Sequence, residues 1–298
     1  MLFFTHEYHG IIIKGINVAS DHRFKKTDWA LVLGASSGFG GAAAAELARH
    51  GMNICGVHFD RAATMPNAEK VLKEVEAQGV KALFFNVNAS DPEKRKEVID
   101  ALLKEHASHP ETTVKVLMHT LAFGTLRPLV SKDPKEQMTQ AQVEMTMDVM
   151  ANSIIYWTQA VFNAGLLKKG GRIFAMTSSG GHSQLPNYGG VSAAKAALES
   201  YIRQLTHDLG PYGITCNAIL AGVTDTAALR KIPGAAMMLT VAAAKSPAMR
   251  NTTPEDVAKA IALLSHEDAY FISGNVIGVD GGEDVVSYIG QKNALTLE

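Results

Sequence analysis

Cysteine is nearly absent: Cys55 and Cys216 are the only two in 298 residues. Each lies in a β-like run, NICGV and ITCNAIL. They read as buried free thiols of a reducing compartment, and a disulfide framework is excluded. Net charge is equally scarce, formally −1, so nothing advertises nucleic acid or an anionic membrane as partner. No apolar run reaches transmembrane length. The opening stretch MLFFTHEYHGIIIKGINVAS has apolar patches, but His6, Glu7, His9 and Lys14 interrupt them, and neither the charged-then-apolar order nor the small-residue cleavage site of a secretory leader is present. Metal-ligand spacing is missing too, since the cysteines are isolated and no His pair sits at i, i+4 beside a carboxylate. These absences lead to the expectation of a cytoplasmic protein with no bound metal. Residues 1–28 are expected to be an N-terminal extension whose role the sequence does not disclose.

What is present is apolar mass: 47% of residues are hydrophobic and 19% charged, enough for a sizeable core. Short apolar runs alternate with longer amphipathic ones. Strands are predicted at 29–34, 52–59, 81–87, 114–122, 171–178, 213–220 and 273–280, and helices near 39–50, 66–79, 92–107, 136–166, 187–209 and 254–265. Strands alternating with helices of this length imply right-handed crossovers and a parallel sheet covered on both faces. The strands' near-continuous apolar character is what burial on two faces requires. With no linker or repeat, the expected fold is α/β: a single Rossmann-like, doubly wound parallel sheet of about seven strands over residues 29–298. One stretch breaks the rhythm. Residues 225–250, including TAALRKIPGAAMMLTVAAAKSPAMR, are Ala- and Met-rich and interrupted by Pro233, Gly234 and Pro247. They read either as a core helix pair or as a helical lid over an apolar ligand, because methionine adapts to varied shapes.

The stretch LGASSGFGGAAAAELARHG follows the first strand and opens a helix. Gly34, Gly38 and Gly40 have the spacing Gly-x-x-x-Gly-x-Gly. Glycines there let backbone approach a pyrophosphate, while a helix N-terminus supplies amide donors. Ser36 and Ser37 add hydroxyls, and Phe39 adds a first-turn amide. The strand-then-helix context makes this a dinucleotide-binding loop. By count from Gly51, the ribose-gripping place at the end of the second strand is His58. Arg61 nearby suits a 2′-phosphate, and Asp60 argues the other way. The balance favours NADPH, with NADH as the alternative. Asn86 and Val87 close the third strand and are expected to flank the adenine.

In PNYGGVSAAKAALES, Tyr188 and Lys195 stand seven positions apart. Seven residues back along a helix is about 10.5 Å, within ~20° of two full turns, so both lie on one face. Either Tyr188 is an acid displaced outward by one turn, or it is a surface aromatic and the site is dead. Ser178, seventeen residues before Lys195, is a second-rank candidate.

The loop, Tyr188, Lys195 and GNVIGVDGG near the end together resemble the short-chain dehydrogenase/reductase family, over roughly residues 28–285. Three departures from the family's common pattern are informative. The fourth strand ends HTLAFG, His119 to Gly124, instead of Asn-Asn-Ala-Gly. The usual proton-relay Asn is Met150, with Asn152 two positions on. The turn after the sixth strand is Ala221-Gly222. In these respects, and in Tyr-x6-Lys with Val191 at the common Tyr position, the chain resembles the NADPH-using enoyl-acyl-carrier-protein reductases. That resemblance implies an acyl thioester on acyl carrier protein or coenzyme A as substrate, and a homotetramer built on the long fourth and fifth helices. It implies Tyr188 as enolate stabiliser and Lys195 as holder of the nicotinamide ribose. Ser178 would have lost its Tyr partner. His119 would belong to the nicotinamide wall, and Thr120, Ala122, Gly222, Thr224 and Thr226 would contact the cofactor. The other readings are a 3-oxoacyl or other carbonyl reductase, and a regulator that senses NADPH without turnover.

Overall fold

The apolar runs become strands because neighbours bury them from both sides. The computed structural model describes residues 24–287. Within it, β1 (Asp28–Leu33), β2 (Asn53–His58), β3 (Ala82–Asn86), β4 (Thr113–His119), β5 (Arg172–Thr177), β6 (Thr215–Ala221) and β7 (Val276–Val279) form one sheet in the order β3-β2-β1-β4-β5-β6-β7. Every pairing is parallel. The helices are α1 (Gly38–Arg49), α2 (Met65–Glu76), α3 (Pro92–Ser108), α4 (Gln140–Met147), α5 (Ser153–Asn163), α6 (Gly189–Leu209), α7 (Ala235–Lys245) and α8 (Pro254–Leu264).

The side-chain alternation of β1 shows how two cores share one sheet. Trp29, Leu31 and Leu33 join Val98 and Leu102 of α3, Ile154 and Trp157 of α5, and Leu198 and Ile202 of α6. Ala30 and Val32 join Ala43, Ala44 and Leu47 of α1 and Val257 and Ile261 of α8. Helix starts carry their own signals. Asp91 accepts from the Glu93 and Lys94 amides ahead of Pro92, and Thr253 forms a capping box with Asp256 ahead of Pro254, satisfying amides that would otherwise lack partners. No helix among the described residues is long and apolar enough to cross a membrane.

Three expectations need correction. The folded unit begins before residue 29: Phe24 packs into the core and β1 starts at Asp28. The rest of the expected extension, residues 1–23, lies outside the described residues. The helix predicted over 136–166 is two helices joined by a π-helical turn, Asp148–Asn152. Ser153 donates to the Val149 carbonyl, and the Tyr156 and Tyr201 hydroxyls donate to Asp148 Oδ1 and Asn152 Oδ1. Such turns recur at functional sites. The 225–250 stretch is not a core helix pair. It holds a short 3-10 turn and α7, whose one buried residue is Ala242.

Candidate active site

The strand order reverses between β1 and β4, and ligands of doubly wound sheets bind beyond the strands' C-terminal ends at such a reversal. At the end of β1, Gly34 turns with φ +98 and Gly38 with φ +54. A Cβ on Gly40 would stand 2.2 Å from the Gly34 carbonyl oxygen, and one on Gly34 would stand 2.4 Å from the Thr120 hydroxyl. The glycines thus bring the turn, α1 and the end of β4 into contact. Ser37 is the extended N-cap of α1, with no side-chain cap and no acid in the first turn, so the amides of Gly38, Phe39 and Gly40 face an uncapped, positive helix end. That cradle fits the pyrophosphate of a nicotinamide dinucleotide. Thr226 reaches the loop from beyond β6, its methyl 3.7 Å from where a Gly38 Cβ would lie.

At the ribose end the structure revises the expectation for His58. Its side chain is buried, and its Nδ1 lies 2.9 Å from Asp60 Oδ2, so it braces Asp60 instead of facing a ribose. Burial pushes the Asp60 carboxyl up, but hydrogen bonds from Thr64, Ser36 and His58 outweigh it and hold the group below its ordinary value. Asn86 fixes the same turn by accepting from the Asp60 amide at 2.8 Å and donating to its carbonyl at 3.0 Å. Val87 donates to the His58 carbonyl, and its side chain packs on the core. Arg61 is exposed at this rim. Thr120 donates to the Leu33 carbonyl at 2.7 Å and Thr224 to the Gly222 carbonyl at 2.9 Å, so both hydroxyls support backbone that frames the cleft. Ala122 is exposed beside them.

Tyr188 is no surface aromatic. It is 9% exposed and is the N-cap of α6 rather than a residue of its first turn. Asn187 before it takes φ +63, a conformation asparagine tolerates. Ser178 lies near the Tyr188 ring, since a Cβ on Gly180 would meet Ser178 Oγ at 3.0 Å as well as the ring. Burial raises the phenol's pKa and Ser178 partly offsets this. Ser178 Oγ accepts the Gly180 amide at 3.0 Å.

Gly180 makes room for the ring, since a Cβ there would fall 2.5 Å from Tyr188 Cε1. Gly189 and Gly190 serve another purpose: a Cβ on either would strike Leu129 or Met138, so they admit the 126–138 loop. Val191 packs with Met150, and both methyl and sulfur lie 2.9 Å from a hypothetical Gly124 Cβ. The nearer tyrosine position is therefore filled by core. Leu126, Met147, Leu185 and, from the 225–250 stretch, Ile232 pack on the same cluster as Tyr188, making its surroundings apolar.

Lys195 is 6% exposed and donates to the Met176 carbonyl at 2.7 Å. Burial lowers its pKa to about 8, with Glu199 opposing; Thr177 donates to that carboxylate. His119 is fully buried, not a wall of the open cleft. Sequence reasoning missed Glu283, whose Oε2 accepts the Val223 amide at 3.0 Å and would collide with a Gly222 Cβ at 2.7 Å. It clamps the turn after β6. The acid after VDGG was its only signal.

Residues 34–283 match the family described as Enoyl-(Acyl carrier protein) reductase. The chain is 30% identical over 260 residues to the 1-cyclohexenylcarbonyl-CoA reductase of Streptomyces collinus, covering 86% of this chain and 87% of the relative. It is 28% identical over 254 residues to the 3-oxoacyl-[acyl-carrier-protein] reductase of a Synechocystis strain, covering 85% of this chain and 95% of the relative. The fold superposes with a TM-score of 0.74 on the enoyl-(acyl-carrier-protein) reductase of Anaplasma phagocytophilum in complex with NAD, at 23% identity over 89% of this chain and 95% of that one. With its parallel seven-stranded sheet, the chain belongs to the short-chain dehydrogenase/reductase family, close to the enoyl-acyl-carrier-protein reductases.

Proposed function

We propose that this oxidoreductase reduces the C=C bond of trans-2-enoyl thioesters in fatty-acid elongation. The observation that carries the reading is the pairing of a buried Tyr188 with a core-filling Val191. A dihydronicotinamide held there would supply a hydride to Cβ, negative charge would develop on the thioester oxygen two carbons away, and a proton added at Cα would complete the reduction. A proton donor serving that oxygen must stand further out than one serving a ketone. Tyr188, at the outer end of α6, donates its hydroxyl hydrogen toward the developing enolate. Ser178 holds the phenol, and Lys195 holds the nicotinamide ribose. The Lys195 ammonium and the α6 N-terminus favour the tyrosinate form against the effect of burial. Gly34, Ser36, Ser37, Gly38, Phe39, Gly40 and Thr226 hold the pyrophosphate end.

The carboxylate of Asp60 is engaged by His58, Ser36 and Thr64, whereas Arg61 stands exposed. This supports NADPH, with Arg61 meeting the 2′-phosphate. Arg61→Ala is expected to lower kcat/KM for NADPH more than for NADH; an equal effect on both would assign the preference elsewhere. We further propose that the acyl group is carried on acyl carrier protein or coenzyme A, and that the chain forms a cytoplasmic homotetramer packed through the α4–α5 stretch and α6.

A carbonyl-reducing alternative draws on Ser178 lying beside the Tyr188 ring at Gly180, because a Ser–Tyr pair also serves a ketone oxygen. The assay that separates the two supplies a trans-2-enoyl thioester or a 3-oxoacyl thioester with each reduced nicotinamide and follows cofactor oxidation. The proposal expects enoyl reduction with little ketone reduction. Robust ketone reduction without enoyl reduction overturns it.

A further inference from the structure

One group in the buried layer beside Lys195 has no assigned work. His119 ends β4 with its ring wholly enclosed. Its Nε2 lies 2.8 Å from Ser153 Oγ, and Ser153 spends its single proton on the Val149 carbonyl, also at 2.8 Å. Ser153 can then only accept, so His119 carries its proton on Nε2 and presents a bare lone pair on Nδ1. That Nδ1 has no hydrogen-bond partner among the described residues. A buried acceptor left open is costly, and its presence calls for a donor.

The register points to the donor. His119 pairs with Ala175 on β5, and the next residue, Met176, supplies the carbonyl that takes Lys195 Nζ. His119 and Lys195 are therefore neighbours across two adjacent strands, on the face covered by α5 and α6. An ammonium carries three hydrogens, and Met176 takes one. Burial, aided by the lysine charge, holds the imidazole neutral with its pKa at about 3. The ionisable groups around the ammonium are His119 from β4, Glu199 further along α6, with its carboxylate taken by Thr177 from β5, and Tyr188 at the start of α6. From the π turn and α5, the partner in this layer is the neutral Ser153.

We propose that His119 is a positioning residue for Lys195: its Nδ1 accepts, through one buried water, a hydrogen bond from the ammonium, keeping that group charged and aimed at the cleft. Ser153 and the π turn set the tautomer that makes this acceptor available. The proposal rests on the reading of Lys195 as the ribose holder, but its test needs neither substrate nor cofactor.

The test is NMR of the full chain labelled at lysine Cε, with the Lys195 resonance assigned by its loss in Lys195→Arg. In the wild type Lys195 is expected to titrate near pH 8. His119→Leu removes the acceptor and is expected to lower that midpoint by roughly one to two pH units. His119→Asn, whose amide oxygen can accept, is expected to restore most of the shift. An unchanged midpoint in His119→Leu overturns the proposal, since a purely structural histidine would leave the lysine alone. If the Leu variant does not fold, ¹⁵N-histidine spectra of the wild type decide: the Nε2-protonated tautomer supports the proposal and the Nδ1-protonated one overturns it. Failure of enoyl reduction alongside a shifted lysine midpoint would sink the reaction and leave this inference standing.

Discussion

Helices α1 and α7 look alike in sequence and live differently. One reads GFGGAAAAELAR and the other AAMMLTVAAAK; both are short, small-residue-rich and almost uncharged. Yet α1 buries Gly40, Gly41, Ala43, Ala44, Leu47 and Ala48, while α7 buries only Ala242. The small residues of α1 are consumed by the protein itself, letting backbone approach β1 and β4. The apolar residues of α7 have no such partner, and Met237 is 67% exposed. The apolar helix is left uncovered among the described residues, at the end of a stretch whose Ile232 touches the Tyr188 cluster, and we propose that it closes on the acyl chain. The α1 side of the cleft is fixed by contact with itself, while the apolar face of α7 is left exposed.

The sharpest break of that comparison is Gly40→Ala. The added methyl would meet the Gly34 carbonyl at 2.2 Å, and two backbone segments cannot both yield. A loss of stability of ~1–3 kcal/mol is expected, with dinucleotide binding abolished, as measured by chemical denaturation and fluorescence titration. Normal binding would mean the loop is looser than its packing implies.

The fixed half also contains a charge that folding disfavours. Burial lowers the Lys195 pKa from 10.5 to about 8, so between those values the unfolded chain binds more protons than the native one. Stability should therefore rise with pH through that window as far as Lys195 is concerned. Lys195→Met should gain stability below pH ~8 and lose this part of the pH dependence, as read from Tm against pH in both proteins. Parallel curves would show that the ammonium is solvated in the native state.

The smallest expected change in stability lies in α7. Met237→Ser and Val241→Ser alter exposed positions and should stay within ~0.5 kcal/mol of wild type, while KM rises for long acyl thioesters and not for short ones. An equal rise for both would remove α7 from the acyl site.

The same contrast explains what could be read from the chain. Strands such as WALVL are legible because burial on both faces leaves them no polar position. The Gly-rich loop is legible because its glycines answer a local steric demand. Tyr188 and Lys195 are legible as a pair through helical periodicity alone. Contacts between distant segments are not. Nothing near His58 announces that its ring turns inward to hold Asp60, and nothing near Gly180 announces the Tyr188 ring above it. The π turn depends on Ser153, Tyr156 and Tyr201 agreeing on one geometry, while a periodic apolar pattern over 136–166 reads simply as helix. The exposure of α7 is illegible for the opposite reason, since an apolar helix reads the same whether it is buried or exposed.

The account stands or falls on Tyr188. The decisive measurement is the kcat of Tyr188→Phe on a trans-2-enoyl thioester, taken with its NADPH dissociation constant. If the phenol acts only as charge develops, kcat falls on the order of 10²–10³ while NADPH affinity is nearly unchanged. Val191→Tyr added to that variant does not rescue it, because Met150 and Gly124 occupy the space its ring would need. Turnover near the wild-type rate by Tyr188→Phe would contradict the account and make Tyr188 a bystander.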